Sequence, residues 1–242
     1  MRDSNACPVG PTLTLGGADG ASPGLYRDDD GELVRVPLYC APPSTENIRQ
    51  AMRVGQLGTI VTPAQGNALE ERYWWCADNG IFGGTYPGDE PYLRWLDRLP
   101  YTDRCLFAVA PDTVGNHWAT LARSRSMLPR IRALGYPVAF VAQDGLQWSA
   151  DHLWDDIDCL FIGGSTAFKL SPQAAELISI ANSLGLWTHM GRVNSWRRYH
   201  YAAAIGCKSV DGTGLTYAPD KNLPQVQSWR RRVLSQSALP SI

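Results

Sequence analysis

Short apolar runs recur along the chain between polar or helix-like segments, and they are the strongest structural signal in the sequence. Within each run apolar and polar residues do not alternate, and turn-forming residues bound it. That pattern is typical of parallel strands that are covered on both faces. The eight runs are LYCA (38–41), GTIVTPA (58–64), YWWCAD (73–78), CLFAVAP (105–111), VAFVAQ (138–143), CLFIGG (159–164), LWTHMG (186–191) and KSVDGT (208–213).

Helical patterns fill most of the intervals between the runs. Ser44 and the Ser171-Pro172 pair are favourable helix starts, while Gly135, Gly185 and Gly206 are favourable stops. Eight strands that alternate with helices predict a single closed (β/α)₈ barrel, with a doubly wound open sheet as the alternative. The predicted helices are 44–54, 90–98, 117–134, 172–184, 194–205 and 223–234.

The first 36 residues differ in composition from the rest and predict an N-terminal extension to a barrel over residues 37–242. They are rich in Gly, Pro and Asp, which favour turns. Short pieces at Thr12–Leu15 and Glu32–Val36 have the alternation of a hairpin.

Overall composition supports one folded domain. The chain has 242 residues, of which 44% are hydrophobic and 19% charged, enough apolar material for a substantial core. No apolar run reaches the roughly 18 residues of a membrane span, and the N-terminus lacks the order of a signal peptide. We therefore expect a cytoplasmic protein without a membrane partner.

Cysteines, histidines and standard motifs argue against several classes of site. The six cysteines are dispersed without a C-x-x-C pair, which favours buried free thiols over a disulfide framework or structural zinc. Of four histidines only His189 falls at a strand end, so a zinc hydrolase is disfavoured. G-x-S-x-G, P-loop and post-strand G-x-G-x-x-G motifs are absent from the sequence. We expect neither a metal nor a cofactor.

Aspartates stand at the carboxyl ends of several predicted strands. Asp78, Asp112, Asp211 and the Gln143-Asp144 pair occupy such ends, and the sixth strand ends in Gly163-Gly164-Ser165. All strand ends of a barrel open onto one face, so these groups are expected to converge. Each aspartate alone is equally well explained as a turn or cap residue. Together they indicate a nucleophile with a general base, or else a carboxylate metal site.

The order of these blocks resembles the tRNA-guanine transglycosylase superfamily, and most of all its phage and bacterial DpdA-like relatives that modify deoxypurines in DNA. The resemblance covers roughly residues 38–224. It rests on six short blocks in the right order at strand ends, which in sequence are ADNGIFGG (77–84), APDTVG (110–115), FVAQDG (140–145), FIGGS (161–165), HMGRVN (189–194) and SVDGT (209–213).

The resemblance implies a role for each matching position. Asp211 would attack C1′ of the nucleotide and Asp78 would act as acid or base toward the two bases. Asp112 and Gln143 would hydrogen-bond the edge of the purine, and backbone groups of Gly163 and Gly164 would bind its carbonyl oxygen. Met190 would pack on the face of the purine ring. The reaction implied is replacement of guanine in DNA by a 7-deazaguanine such as preQ0.

The sequence departs from the family at two places. Asn79 replaces a serine and Ile81 interrupts a Gly-Gly-Phe pattern, so base contacts there are expected to differ. In the tRNA enzymes a Cys/His zinc subdomain follows the barrel, whereas this sequence ends at Ile242 without one. That shifts the expected polymer from tRNA toward DNA.

Charge is unevenly distributed and suggests a polyanion partner. Between 186 and 242 there are eight Lys or Arg against two Asp, a balance of +6, which leaves −7 for the rest because the whole chain carries −1. Four basic residues near the predicted rim are candidate phosphate contacts, although they would equally suit a solvated helix face. They are Lys169, Arg192, Arg197 and Arg198.

Three other functions remain open on the sequence. Water in place of an entering base would give a base-excising glycosylase. The polymer would be tRNA in a tRNA-directed enzyme. A barrel without turnover would be a nucleic-acid-binding accessory protein, which the presence of both Asp78 and Asp211 disfavours.

Overall fold

Eight parallel strands close into the predicted barrel. The computed structural model describes residues 23–27, 33–66, 68–146 and 153–237. Neighbours around the barrel follow chain order, and β10 pairs with β3 to close it, with Asp211 opposite Cys40. The barrel strands are β3 (Leu38–Ala41), β4 (Gly58–Val61), β5 (Trp75–Ala77), β6 (Cys105–Val109), β7 (Val138–Ala142), β8 (Cys159–Ile162), β9 (Trp187–Met190) and β10 (Ser209–Asp211).

Helices in the described ranges pack around the outside of the strands. The predicted helix 117–134 is two helices, because Pro129 cannot continue the first and suits the opening turn of the second. The helix predicted over 44–54 begins later than expected, because Thr45 rather than Ser44 is its N-cap. The helices are α1 (Glu46–Arg53), α2 (Asp89–Leu96), α3 (His117–Ser124), α4 (Leu128–Ala133), α5 (Thr166–Lys169), α6 (Pro172–Ser183), α7 (Trp196–Ala204), α8 (Gly214–Tyr217) and α9 (Pro219–Ser237).

Two apolar layers hold the barrel together. One lies between strands and helices, and the other fills the barrel interior. Inside, the thiols of Cys40 and Cys76 leave room for the rings of Phe107 and Phe161, which meet edge to face at 6.2 Å. Five cysteines are free and buried, as predicted, and Cys7 lies outside the described residues.

A two-stranded hairpin lies beside the amino-terminal ends of β3 and β10. It pairs β1 (Leu25–Arg27) with β2 (Leu33–Arg35), whereas the predicted partner Thr12–Leu15 lies outside the described residues. The N–H of Val36 donates to Gly24 O, and the guanidinium of Arg230 on α9 hydrogen-bonds Tyr26. The hairpin therefore packs at the end of the barrel opposite the carboxyl ends of the strands.

None of the helices in the described ranges combines the length and the apolar character needed to cross a bilayer.

Candidate active site

The carboxyl ends of the barrel strands surround a cavity of about 280 Å³. Eight of the twelve residues singled out in the sequence line it, so the predicted convergence at this face is observed. These eight are Asp78, Asn79, Asp112, Gln143, Gly163, Gly164, Arg192 and Asp211.

Asp211, at the end of β10, is held by donors on both carboxylate oxygens. The backbone N–H of Arg192 donates to Oδ1 at 3.0 Å, and Nε2 of His189 lies 3.0 Å from Oδ2. The side chain keeps 17% exposure, which leaves it accessible from the cavity. Arg192 has φ 60°, the left-handed region that a non-glycine residue rarely adopts. That strained backbone directs its N–H at the carboxylate, a pattern that is common at functional sites.

Asp78 follows β5 on another wall of the same cavity. Its Oδ1 accepts the N–H of Gly80 at 2.6 Å. Burial raises the pKa of Asp78 to about 6, against that hydrogen bond, and the carboxylates of Asp211 and Asp112 add to the rise. An acid with a pKa near the working pH can both donate and accept a proton during a reaction.

Asp112 is buried between two amides. Nε2 of Gln143 donates to its Oδ2 at 2.6 Å, and Nδ2 of Asn79 donates to its Oδ1 at 3.1 Å. Gln143 in turn accepts the N–H of Gly115 at 2.8 Å through Oε1. Burial raises the pKa of Asp112 although both amides lower it. These side chains form a fixed polar patch, with Asn79 serving as the amide that orients Asp112.

The Gly163-Gly164 turn brings backbone to the cavity wall because neither position has room for a side chain. A Cβ on Gly163 would lie 2.5 Å from Val141 Cγ1, and one on Gly164 would lie 2.6 Å from Asp144 Oδ2. Asp144 fixes the turn by accepting from Ser165 N and Oγ at 2.7 and 2.6 Å. The N–H of Gly163 is already donated to Ala142, which excludes that group as a donor to a ligand.

Apolar groups that the sequence reasoning missed complete the cavity. Val141 and Phe161 line its walls, and Phe82 and Val114 line it with 61% and 47% exposure. The Arg192 guanidinium lies 4.4 Å from the centre of the Phe82 ring and donates to Gly164 O. Phe82 lies in the ADNGIFGG block (77–84), where the sequence predicted altered base contacts at Asn79 and Ile81 but no role for Phe82.

Two sequence predictions are corrected by burial. Met190 is 1% exposed and belongs to the layer between strands and helices, so it does not face the cavity. Lys169 is 2% exposed and its Nζ donates to Gly191 O at 3.1 Å, which rules out a direct phosphate contact in this conformation. Burial, followed by repulsion from Arg192, lowers the pKa of Lys169 to about 8.

The two arginines of α7 differ in their surroundings. Arg197 is exposed, as a phosphate contact requires. Arg198 is partly buried and donates to Arg192 O at 3.1 Å and to Thr166 Oγ1 at 3.3 Å. Its guanidinium therefore supports the cavity wall.

His189 is the functional candidate that sequence reasoning considered only as a metal ligand. It is fully buried and contacts Asp211 from inside the barrel. The sequence feature that could have indicated its role is Ser209, a second polar residue in an apolar strand, which pairs with His189 in register across β9 and β10.

Among the described residues no group of three or more His, Cys, Asp or Glu side chains is arranged to hold a metal ion. Independence from metal stays a prediction.

No protein-family model matches the chain, and no curated protein resembles it in sequence. Solved barrels resemble it in fold. A mandelate oxidase with a bound difluoro-hydroxy-phenylpropionic acid has TM-score 0.54 and 14% identity, over 86% of this chain and 75% of that one. A chain of the Amycolatopsis orientalis BexX/CysO complex has TM-score 0.51 and 14% identity, over 91% and 98%. The native KDPGal structure has TM-score 0.51 and 12% identity, over 84% and 96%. At such identities the likeness establishes the (β/α)₈ fold alone.

Proposed function

We propose that this protein is an enzyme that replaces guanine in DNA with a 7-deazaguanine base such as preQ0, through a covalent aspartyl intermediate. One observation carries the proposal: a single cavity holds Asp211, fixed by two donors, together with Asp78, whose pKa of about 6 suits proton transfer. Base exchange needs both a nucleophile and a proton carrier.

In the first half-reaction, a carboxylate oxygen of Asp211 attacks C1′ as the bond from C1′ to N9 of guanine breaks. An ester then joins Asp211 to C1′. The leaving base takes the proton of neutral Asp78, which becomes a carboxylate. Burial makes that carboxylate a better base than an exposed one, as its raised pKa indicates.

In the second half-reaction, Asp78 removes the ring N–H proton of the entering base, whose nitrogen attacks C1′. The ester bond breaks and Asp211 leaves as a carboxylate, stabilised by the N–H of Arg192 and by His189. Two displacements retain the configuration at C1′, as in retaining glycosidases. Water in the second step would instead give base excision.

The cavity suits one flat base at a time. Its volume of about 280 Å³ lies just below the range of roughly 300–1,000 Å³ that is typical of small-molecule pockets. Apolar walls at Val141 and Phe161 suit the ring faces, while Asp112 and Gln143 supply polar atoms for the ring edge. The Gly164 peptide borders the same space, in keeping with backbone contact to the base carbonyl.

A polynucleotide substrate fits the charge distribution. The segment from 186 to 242 carries +6 and contains both β9 and Arg192. Exposed Arg197 lies on α7, directly after the loop that holds Arg192. A guanine in a duplex must be flipped into the cavity or presented on a single strand, which costs a few kcal/mol.

The test is base exchange in oligonucleotides. Purified protein is incubated with guanine-containing DNA, single- or double-stranded, or with tRNA, in the presence and absence of preQ0, and the nucleosides are analysed by mass spectrometry. We expect 7-deazaguanine in DNA and a mass increase of the protein that corresponds to a covalent adduct. Asp211→Asn should abolish both, because an amide is a poor nucleophile, while Asp103→Asn, an exposed aspartate before β6, should retain them.

Three results would redirect the proposal. Abasic sites formed without preQ0 would indicate a glycosylase. Exchange in tRNA but not in DNA would indicate the tRNA-directed enzyme. Binding of DNA without any adduct or exchange would indicate an accessory protein.

A further inference from the structure

Beneath Asp211, inside the barrel, lies a buried chain of polar side chains. Trp187 Nε1 donates to Ser209 Oγ at 2.8 Å, Ser209 Oγ lies 2.8 Å from His189 Nδ1, and His189 Nε2 lies 3.0 Å from Asp211 Oδ2. Ser209 and His189 are both fully buried. The proposed mechanism uses His189 as a donor to the released Asp211 carboxylate and leaves open what fixes the direction of that donor.

Donor and acceptor counts give this chain one direction. Indole Nε1 can only donate, so Ser209 Oγ accepts from Trp187 and directs its own proton to His189 Nδ1. Nδ1 is then an acceptor and the ring proton sits on Nε2, aimed at Asp211. The opposite tautomer would set the Nε2 lone pair against a carboxylate oxygen, two acceptors in contact. A doubly protonated ring would send two donors to Ser209 Oγ, and within the described ranges the hydroxyl proton has no acceptor other than His189.

Aromatic side chains pack against the His189 ring and restrict its orientation. The imidazole lies 4.4 Å from the centre of the Phe161 ring at a tilt of 37°, and 5.1 Å from that of Phe107, edge to face. Side chains in a close-packed interior sit in rotamer minima, and in this one the Nε2–H is directed at Asp211.

We propose that His189 is a positioning residue that holds the Asp211 carboxylate from below in a single tautomer, set by Ser209 and Trp187. Together with the Arg192 N–H, it fixes the plane of the carboxylate while a free lone pair of each oxygen remains for the cavity. A neutral donor orients Asp211 without pairing it with a full positive charge. The same donor stabilises the carboxylate that is released when the ester breaks. The catalytic consequence rests on the proposed function, whereas the tautomer and the geometry do not.

The first test reads the tautomer directly and needs no activity. Two-bond ¹H–¹⁵N correlation spectra of the wild-type protein show which ring nitrogen of each histidine carries the proton. The chain has four histidines, so the His189 signals are assigned by their loss in His189→Gln. We expect an Nε2–H tautomer in the wild type. In Ser209→Ala the Asp211 carboxylate still favours that tautomer, but the Nδ1 resonance should shift because Nδ1 loses its hydrogen-bond donor. An Nδ1–H tautomer, or a Ser209→Ala spectrum unchanged from the wild type, would overturn the assignment.

The second test compares two substitutions of His189. His189→Leu removes the donor, whereas Gln can place an amide N–H near the position of Nε2. Losing a hydrogen bond to a charged group should lower the rate constant by roughly 10- to 100-fold. We therefore expect His189→Leu to lower kcat by about that factor, with KM little changed. His189→Gln should recover most of kcat. Equal losses in both variants, or wild-type kcat in His189→Leu, would contradict a positioning role.

A crystal structure of His189→Leu separates this inference from the proposed function. If the wild type proves inactive in base exchange, the proposed function fails. The orientation of the Asp211 carboxylate in the variant still tests the positioning role. We expect its carboxylate to rotate away from the Arg192 N–H in the variant. An unchanged carboxylate, with urea unfolding as the check that the variant is folded, would show that His189 does not position it.

Discussion

Asp78→Asn should stabilise the protein at neutral pH, although the residue lies in the candidate active site. The side chain is partly buried, and burial together with Asp211 and Asp112 raises its pKa from 3.8 to about 6. Asparagine keeps the shape and the Oδ1 that accepts the Gly80 N–H. The substitution therefore removes mainly the cost of an ionised group in this position.

The magnitude and its pH window follow from linkage between protonation and folding. Below 3.8 the carboxyl is neutral in both states and costs nothing. As the pH rises toward about 6, the unfolded chain ionises first, so the folded state loses stability relative to it. Above about 6 the loss is complete at about 3 kcal/mol, taking 1.36 kcal/mol per pKa unit for the shift from 3.8 to about 6. Roughly half of that change falls between pH 5 and 8.

Urea unfolding at several pH values measures this effect, with Asp144→Asn as the matched control. The Asp144 pKa is lowered, because hydrogen bonds from Ser165 outweigh a burial effect that raises it. Its ionised form therefore contributes stability above 3.8 that is lost as the pH falls through its folded-state value. Asp144→Asn should destabilise the protein at neutral pH, the opposite sign to Asp78→Asn.

One result would refute this reasoning about Asp78. If the free energy of unfolding of Asp78→Asn followed that of the wild type with a constant offset from pH 5 to 8, the carboxyl would have no raised pKa in the folded state. Asp78 would then lack the property that the proposed proton transfer uses.

Two further predictions concern the turn and the rim. Gly163→Ala should lower the free energy of unfolding by about 1–3 kcal/mol, because its Cβ would lie 2.5 Å from Val141 Cγ1. Gly66→Ala, which has open space around it, is the control and should be nearly neutral. Equal urea midpoints for the two variants would contradict the packing argument. Arg197→Ala should weaken DNA binding and reduce the slope of log affinity against log salt concentration by about 1, without changing base selection. An unchanged slope in binding titrations would show that the phosphate backbone does not contact Arg197.

The barrel could be predicted because both faces of every strand are covered, so each strand is a short apolar run. LYCA (38–41) coincides with β3, while GTIVTPA (58–64) extends beyond β4, because strand pairing stops at Val61 and the apolar character continues into the loop. The carboxyl ends were predictable for the same reason. A polar residue directly after such a run, as with Asp112, must lie at the rim.

Side-chain direction was not predictable from these runs. Within LWTHMG (186–191) every position is compatible with burial, so nothing in the pattern distinguishes the barrel interior from the helix layer. Strand geometry sends neighbours to opposite sides. His189 therefore points inward to Asp211 and Met190 outward to the helices, the reverse of what the resemblance implied for a base contact.

Arg192 shows why a basic residue near the rim cannot be assigned from charge alone. Its left-handed backbone costs of order 1–3 kcal/mol, and the contacts that hold it there belong to the site itself. The N–H fixes Asp211, the guanidinium joins Gly164 O to the Phe82 ring, and the carbonyl accepts from Arg198. One strained residue thus links the proposed nucleophile, the backbone beside the base and the exposed mouth of the cavity. Because the Arg192 guanidinium is already engaged by Gly164 O and the Phe82 ring, whereas Arg197 is exposed, we expect Arg197 to bind the phosphate backbone and Arg192 to hold the cavity in shape.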